Sequence, residues 1–179
     1  LPGKLLSSLP ISVVFAIMVQ VTELGGHFTR VDVAQDLDRS YGLELMSNIE
    51  LACNAGDFKG FRNYVFLKPG NREGLTGYQI NLGSRQSGVY TRIYDKHLES
   101  KGEISCVRFE TELKGKNAQA YVNLFLQFAY QDDLLLECLR GVTIGCVSFC
   151  DRSKDRSGKN VSRCPELQFW VDFKDRLQA

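Results

Sequence analysis

The hydrophobic and polar positions of the chain predict alternating helices and strands. Apolar stretches bracketed by serine or aspartate caps and by glycine stops predict helices at residues 9–24, 43–54, 117–130, 132–140 and 165–177. Runs rich in β-branched and aromatic residues predict strands at residues 28–36, 63–67, 76–82, 88–96, 104–114 and 143–149. A polar, glycine-bearing stretch at residues 151–163 predicts an exposed loop.

The order of these elements predicts the fold class. Strands follow one another with helices between them, and residues 83–87 (Gly-Ser-Arg-Gln-Ser) join two strands as a tight hairpin. This order favours an α+β fold, with a mainly antiparallel sheet and helices packed on one face.

Three of the predicted strands each place charged residues on one face. Residues two apart in a strand share a face. On this face the strand at residues 28–36 places Asp32, Ala34 and Asp36, and the strand at residues 88–96 places Tyr90, Arg92, Tyr94 and Lys96. The strand at residues 104–114 places Arg108, Glu110 and Glu112 there. The opposite face carries Val31 and Val33; Val89, Thr91 and Ile93; and Val107, Phe109, Thr111 and Leu113. We expect the apolar face to pack against helices and the charged face to remain open.

Composition limits the class of protein. The 179 residues are 44% hydrophobic and 24% charged, which is typical of one globular domain and excludes disorder and a collagen-like fold. With 22 basic and 21 acidic residues the net charge is only +1, so capture of duplex DNA by bulk charge is not supported, although a local basic site is compatible with it. The longest apolar run, residues 11–21, is too short to span a membrane.

The six cysteines are expected to be free thiols. Five of them lie among apolar residues, as small hydrophobic side chains do, and the only histidines are His27 and His97, which disfavours structural zinc. Free thiols indicate a reducing cytosol.

The charged face has two interpretations. The first is a solvated sheet surface laced with ion pairs. The second is a phosphodiester-cleaving site: four carboxylates would hold a hard divalent cation, Arg92, Lys96 and Arg108 would neutralise a phosphate, and a tyrosine would be the nucleophile. The turn at residues 83–87 is compatible either with phosphate binding through its backbone amides and Arg85 or with a plain hairpin turn.

Three ordered blocks of the sequence resemble a known family. Residues 26–36 resemble its "G-x-x-T-R-hydrophobe-D-hydrophobe-A-x-D" stretch, residues 83–87 and 92–96 resemble its "G-S-R-x-S … R-I-Y-x-K" block, and residues 107–113 resemble its "V-R-hydrophobe-E-x-E-L" strand. The family is that of the rolling-circle replication initiation factors, or trans-acting Rep proteins, of bacterial plasmids and filamentous phages. The resemblance covers roughly residues 24–130.

This resemblance implies a site-specific single-strand DNA nickase that rejoins strands through a covalent 5′-phosphotyrosine. Tyr94 matches the family's nucleophile, and Arg92, Lys96 and Arg108 would assist it. Mg²⁺ or Mn²⁺ would be held by Asp32, Asp36, Glu110 and Glu112. The expected DNA- or phosphate-binding residues are Arg30, Ser84 and Arg85.

The resemblance also implies partners and a location. We expect single-stranded or extruded origin DNA, a host helicase and polymerase, a homodimer, no membrane, and the bacterial cytoplasm. Residues 1–179 would form one nicking and strand-transfer domain that lacks an N-terminal part of its relatives. Two alternatives remain open: a conjugative relaxase with the same chemistry, and an inactive DNA-binding relative.

Overall fold

The structure is a computed structural model that describes residues 8–128, 131–153 and 163–178. In chain order its elements are α1 (Ile11–Glu23), β1 (Arg30–Asp38), α2 (Arg39–Ala55), β2 (Phe58–Lys59), β3 (Tyr64–Leu67), β4 (Gly70–Asn71), β5 (Gly74–Leu75), β6 (Gln79–Leu82), β7 (Val89–Asp95), α3 (Lys96–Glu99), β8 (Cys106–Lys114), α4 (Lys116–Leu126), α5 (Asp132–Gly145), β9 (Ser148–Phe149) and α6 (Gln168–Gln178). None of the described helices combines the length and apolar character that crossing a bilayer requires.

Five strands form the central sheet, in the order β1-β8-β7-β6-β3. Every neighbouring pair in this sheet is antiparallel. Two further pairs, β2 with β9 and β4 with β5, lie outside it. The predicted α+β class with a mainly antiparallel sheet is confirmed.

The core fills the apolar face of the sheet. Helix α2 packs on β1, β7 and β8, and α6 adds the buried aromatic rings of Trp170 and Phe173. Phe109 of β8 stacks on Phe173 with 5.6 Å between ring centres. Helices α4 and α5 bury a second cluster around Leu113 and Val33 on the same face. The charged residues of β1, β7 and β8 therefore line the other face.

Several predicted boundaries differ from the structure for local reasons. Helix α2 begins at Arg39 rather than at residue 43, because the Asp38 side chain accepts a hydrogen bond from the Tyr41 amide at 3.1 Å. It ends at Ala55 and is capped by Gly56, whose φ of 76° lies in the left-handed region. The predicted strand 143–149 is confirmed only at residues 148–149, because α5 continues to Gly145 and β9 begins at Ser148.

The end of β7 matters for the site. The strand stops at Asp95 rather than at residue 96, because the Asp95 side chain accepts a hydrogen bond from the His97 amide at 3.0 Å and caps a short helix. Lys96 therefore begins α3. Its spacing predicted that it would continue the strand face of Tyr94, and this prediction is wrong. Residues 129–130 of the fourth predicted helix and residues 154–162 of the predicted loop lie outside the described residues.

Two helical glycines offer a test of the packing. A Cβ at Gly42 would lie 2.3 Å from Val107 Cβ, whereas a Cβ at Gly141 would meet nothing within 4 Å. We expect Gly42→Ala to lower the free energy of unfolding by about 1–3 kcal/mol through overpacking, and Gly141→Ala to raise it by about 0.5–1 kcal/mol through helix propensity. Urea denaturation of both variants measures the difference. Equal stability would show that α2 does not approach β8 this closely.

Candidate active site

The charged face is organised as rows of side chains that run across the sheet. Residues paired between antiparallel strands point to the same side, so the pairing register fixes each row. The first row is Asp36, Arg108, Tyr94, Gln79 and Leu67; the second is Ala34, Glu110, Arg92, Asn81 and Val65; the third is Asp32, Glu112 and Tyr90. The prediction that Asp32, Tyr94 and Glu110 share a face is confirmed.

The sequence analysis missed two members of these rows. Gln79 and Asn81 lie on β6 beside Tyr94 and Arg92. The alternation of these two residues with the apolar Ile80 and Leu82 could have predicted their place on the charged face. Ile80 and Leu82 are fully buried on the opposite face.

Tyr94 is a partly exposed residue in the first row. Its hydroxyl donates to Glu110 Oε2 at a long 3.3 Å. Burial, and then the negative charge of Glu110, raise the pKa of Tyr94 to about 12, although Arg108 and Arg92 oppose the shift. The phenol is therefore protonated at neutral pH, and forming a nucleophilic phenolate needs a proton acceptor or additional positive charge.

Tyr90, the other tyrosine of this strand face, is in a different environment. It is only 4% exposed, and the guanidinium carbon of Arg85 lies 5.9 Å from its ring centre. A DNA phosphate can reach the partly exposed Tyr94 more easily than it can reach Tyr90.

Each carboxylate of the rows is neutralised by a cation. Arg30 Nη2 bridges Asp32 Oδ2 at 2.9 Å and Glu112 Oε2 at 2.7 Å. The remaining ion pairs are Lys114 with Glu112, Arg92 with Glu110, and Arg108 with Asp36. The first interpretation of this face, a surface laced with ion pairs, is therefore present in the structure, and it coexists with the geometry of a candidate site.

Two of these pairs immobilise arginines beside Tyr94. The Arg108 guanidinium makes a bidentate contact with Asp36, at 2.6 and 2.7 Å, and this contact raises the pKa of Arg108. Arg92 contacts Glu110, whose side chain also accepts from Tyr94. Arg108, which pairs with Tyr94 across β8, and Arg92, two residues before Tyr94 on β7, thus place positive charge next to this tyrosine.

The carboxylate oxygens of this face are ligands suited to a hard divalent cation, but their ion pairs would have to rearrange before a cation could bind. Asp32 lies directly across from Glu112, and Glu110 lies two residues from Glu112 on the same face. Glu110 and Glu112 are only 9% and 7% exposed, and both are ion-paired. Within residues 8–128, 131–153 and 163–178, no three carboxylate, imidazole or thiol groups stand ready as a metal site. A metal between Asp32 and Glu112 would take the place of the Arg30 guanidinium.

The other predicted site residues lie around the edge of the rows. The Ser84 backbone carbonyl accepts from the Ser87 amide at 2.9 Å, which closes an exposed hairpin turn. Arg85 lies over Tyr90 and its carbonyl accepts from Lys114. Lys96 pairs with Glu99, and its ammonium lies 5.7 Å from the Tyr94 ring centre.

An additional ion pair positions the end of β7. Asp95, whose side chain is 1% exposed, receives the Arg39 guanidinium at 2.8 Å. Burial raises the pKa of Asp95, but the hydrogen bond and the charge of Arg39, together with the backbone hydrogen bonds from His97 and Leu98, outweigh burial and leave the pKa below its usual value. This contact anchors the residue that follows Tyr94, and the sequence alone gave no sign of it.

Breaking this pair should destabilise the fold in a pH-dependent way. We expect Arg39→Gln to cost about 3 kcal/mol, because it leaves a buried carboxylate without its cation. The Asp95 contribution is present above its unfolded pKa of about 4 and is lost as pH falls through the lower folded pKa, so the deficit should shrink in acid. Denaturation from pH 7 to pH 2.5 measures it. The control is Lys68→Gln, which breaks the more exposed ion pair of Lys68 with Glu50 and should lower the free energy of unfolding by less than about 1 kcal/mol. Equal losses of stability in the two variants would contradict the role of Arg39.

Comparison with protein families decides the relationship. The family model for replication initiation factors matches residues 26–178. The chain belongs to the replication initiation factor family. The match covers all three blocks that suggested it, together with α4, α5 and α6.

A solved structure shares the fold of this family member. It is described as the rolling circle replication initiator protein from Geobacillus stearothermophilus, and it aligns with a TM-score of 0.66 and 23% sequence identity. The alignment covers 85% of this chain and 56% of that protein, so this chain spans just over half of its length. A comparison with curated proteins gives no match.

Proposed function

We propose that this chain is a metal-dependent, site-specific single-strand DNA nickase and strand transferase that initiates rolling-circle replication. Tyr94 would attack a phosphodiester at the origin, forming a bond to the 5′-phosphate and releasing a 3′-hydroxyl. A second attack by a DNA hydroxyl would reverse the step and rejoin the strand. Atoms balance, because one phosphoester replaces another at each step.

The observation that carries the proposal is the environment of the Tyr94 hydroxyl. It is partly exposed on an open sheet face, hydrogen-bonded to Glu110, and lies in a row between Gln79 and Arg108 with Arg92 nearby. A nucleophile, a proton acceptor and fixed cations are the groups that phosphoryl transfer to tyrosine requires.

Each residue has a role that follows from its contacts. Glu110 would accept the phenol proton, because its carboxylate already accepts that hydrogen bond. Arg92 and Arg108 would stabilise negative charge on the phosphoryl oxygens, because their ion pairs hold them in place before DNA arrives. Lys96 would add charge from α3.

Asp32, Glu112 and Glu110 would hold Mg²⁺ or Mn²⁺, with Asp36 more distant because it engages Arg108. The bound cation would supply Lewis-acid polarisation of the phosphate and would lower the cost of forming the phenolate. Arg30, released from Asp32 and Glu112, would then be available to a DNA phosphate. Ser84 and Arg85 would contact the backbone at the turn end of the same face.

The wider setting follows from the family. We place the chain in the bacterial cytoplasm as one nicking and strand-transfer domain, acting on single-stranded or extruded origin DNA of a plasmid or phage. A host helicase and polymerase would extend the released 3′-hydroxyl, and a homodimer is the proposed assembly. The free thiols of Cys53, Cys106, Cys138, Cys146 and Cys150 agree with a reducing compartment.

The decisive experiment looks for the covalent intermediate. The protein is incubated with Mg²⁺ and a labelled single-stranded oligonucleotide that carries the origin of its own replicon, and a denaturing gel separates the adduct. We expect a labelled band at protein mass plus the 3′ fragment. An adduct formed only with a transfer origin would favour the relaxase alternative, and DNA binding without any adduct would favour an inactive relative.

A further inference from the structure

A cleft of about 300 Å³ opens directly beside Tyr94. Its apolar wall comes from Leu67 and Pro69, and its polar wall comes from Gln79, Arg92 and Thr76. The Tyr94 side chain forms part of the cleft itself. A ligand-sized cavity begins at about this volume, so the cleft suits one small planar group and not a large ligand.

The strand pairing explains why the cleft lies here. Leu67, Gln79 and Tyr94 are consecutive members of one row across β3, β6 and β7. The segment from Pro69 to Tyr78 leaves the sheet and returns to it, anchored by the Thr76 amide donating to the Pro69 carbonyl at 2.9 Å. The cleft is thus walled by a rigid sheet on one side and by this anchored segment on the other.

The polar wall has a defined hydrogen-bonding pattern. Gln79 Nε2 donates to Asn81 Oδ1 at 2.6 Å, which fixes the orientation of the Gln79 amide. Within the described part of the chain, Gln79 Oε1 accepts no hydrogen bond, and the second hydrogen of Nε2 has no acceptor. Gln79 therefore offers one acceptor next to one donor.

We propose that this cleft binds a nucleobase next to the scissile phosphate, and that Gln79 selects a base that carries an exocyclic amine beside a ring nitrogen, as cytosine and adenine do. The proposal rests on the function proposed above for Tyr94. A phosphate held at the Tyr94 hydroxyl leaves its neighbouring nucleoside at the mouth of the cleft, and unstacked bases are recognised by packing and by their hydrogen-bonding edges. The amide of glutamine pairs with an amine donor and an adjacent acceptor in this way. Thymine lacks that arrangement, because it has no exocyclic amine and presents a carbonyl and a ring N–H where cytosine presents an amine and a ring nitrogen acceptor.

A matched pair of single-stranded DNA probes tests whether Gln79 reads the hydrogen-bonding edge of a base. Neither probe requires the sequence of the replication origin. Fluorescein-labelled dC12 and dT12 are both pyrimidine single strands, and they differ in the base edge that Gln79 would read. Fluorescence anisotropy at pH 7.5 with Mg²⁺ measures the dissociation constant of each for the 179-residue chain. We expect dC12 to bind at least about fivefold more tightly than dT12, the lower end of what a bidentate amide–base pair provides.

Variants then assign the preference to the cleft. Gln79→Ala should bring the two affinities to within about twofold of each other. Asn81→Ala should weaken the preference, because it frees the Gln79 amide to rotate. Gln127→Ala, an exposed glutamine at the end of α4 on the helical side of the sheet, is the control and should keep the wild-type ratio.

The outcomes separate this proposal from the one on which it rests. Equal binding of dC12 and dT12 by the wild-type chain, or a preference that survives Gln79→Ala, would overturn the base site while leaving the nickase proposal standing. No binding of either strand would also overturn the base site, and the adduct assay with the origin strand would then decide the nickase proposal separately. The wild-type ratio needs no variant, so a Gln79 variant that fails to fold does not prevent a result.

Discussion

Replacing Tyr94 with phenylalanine is expected to abolish covalent capture of DNA while leaving the fold and DNA binding nearly unchanged. Only the hydroxyl oxygen can form the bond to phosphorus, whereas the ring keeps its place in the row between Gln79 and Arg108. The lost contact is a single long hydrogen bond to Glu110 at 3.3 Å, so we expect a change in stability of about 1 kcal/mol or less. The measurement is the labelled adduct on a denaturing gel, with anisotropy reporting binding in parallel.

Tyr90→Phe is the matched control for this prediction. Tyr90 lies on the same strand and the same face, but it is 4% exposed beneath Arg85. We expect Tyr90→Phe to form the adduct at nearly the wild-type rate. If Tyr90→Phe loses the adduct and Tyr94→Phe keeps it, the nucleophile is Tyr90; if both keep it, the chain does not act through a tyrosine of this face.

The composition of the charged face could be predicted from the sequence because it depends only on strand periodicity. Once β1, β7 and β8 were recognised, alternation placed Asp32, Tyr94 and Glu110 on one side without knowledge of the register. A slip of two residues between strands would have preserved this result, which is why it was robust.

The contacts within the face could not be predicted, because they depend on register and on long-range pairing. Arg108 and Asp36 lie 72 residues apart, and nothing local indicates that they meet. The same holds for Arg39 and Asp95, 56 residues apart. The groups of the candidate site could thus be predicted, whereas the cation that neutralises each carboxylate could not.

The misassigned strand at residues 143–149 has a different cause. Val142, Thr143 and Ile144 are β-branched, and their intrinsic preference favours a strand. In the structure they complete α5, where Thr143 is fully buried and Ile144 packs against the main core. Tertiary packing overrides propensity here, because the continued helix buries Thr143 and packs Ile144 against the core.

Conservative changes at the carboxylates are expected to cause a loss of activity that depends on metal concentration. Asp32→Asn and Glu110→Gln keep the side-chain shapes but remove negative charge that would hold Mg²⁺ or Mn²⁺. At about 1 mM Mg²⁺ we expect the nicking rate to fall about 100-fold or more, which is the effect of losing one strong electrostatic stabiliser. Raising Mn²⁺ should restore part of the activity of Asp32→Asn by mass action, and less of the activity of Glu110→Gln, which also loses the proposed proton acceptor of Tyr94.

Metal dependence distinguishes these carboxylates from a purely structural ion-pair network. Asp175→Asn, an exposed aspartate of α6, is the control and should keep wild-type activity at every metal concentration. Tyr94→Phe should stay inactive at high Mn²⁺, because a cation cannot replace the missing hydroxyl. Titration of Mn²⁺ followed by electron paramagnetic resonance gives an independent readout, in which Asp32→Asn should weaken binding. If Asp32→Asn and Glu110→Gln bind Mn²⁺ as the wild type does, their carboxylates serve to hold Arg30 and Arg92, and the metal lies elsewhere.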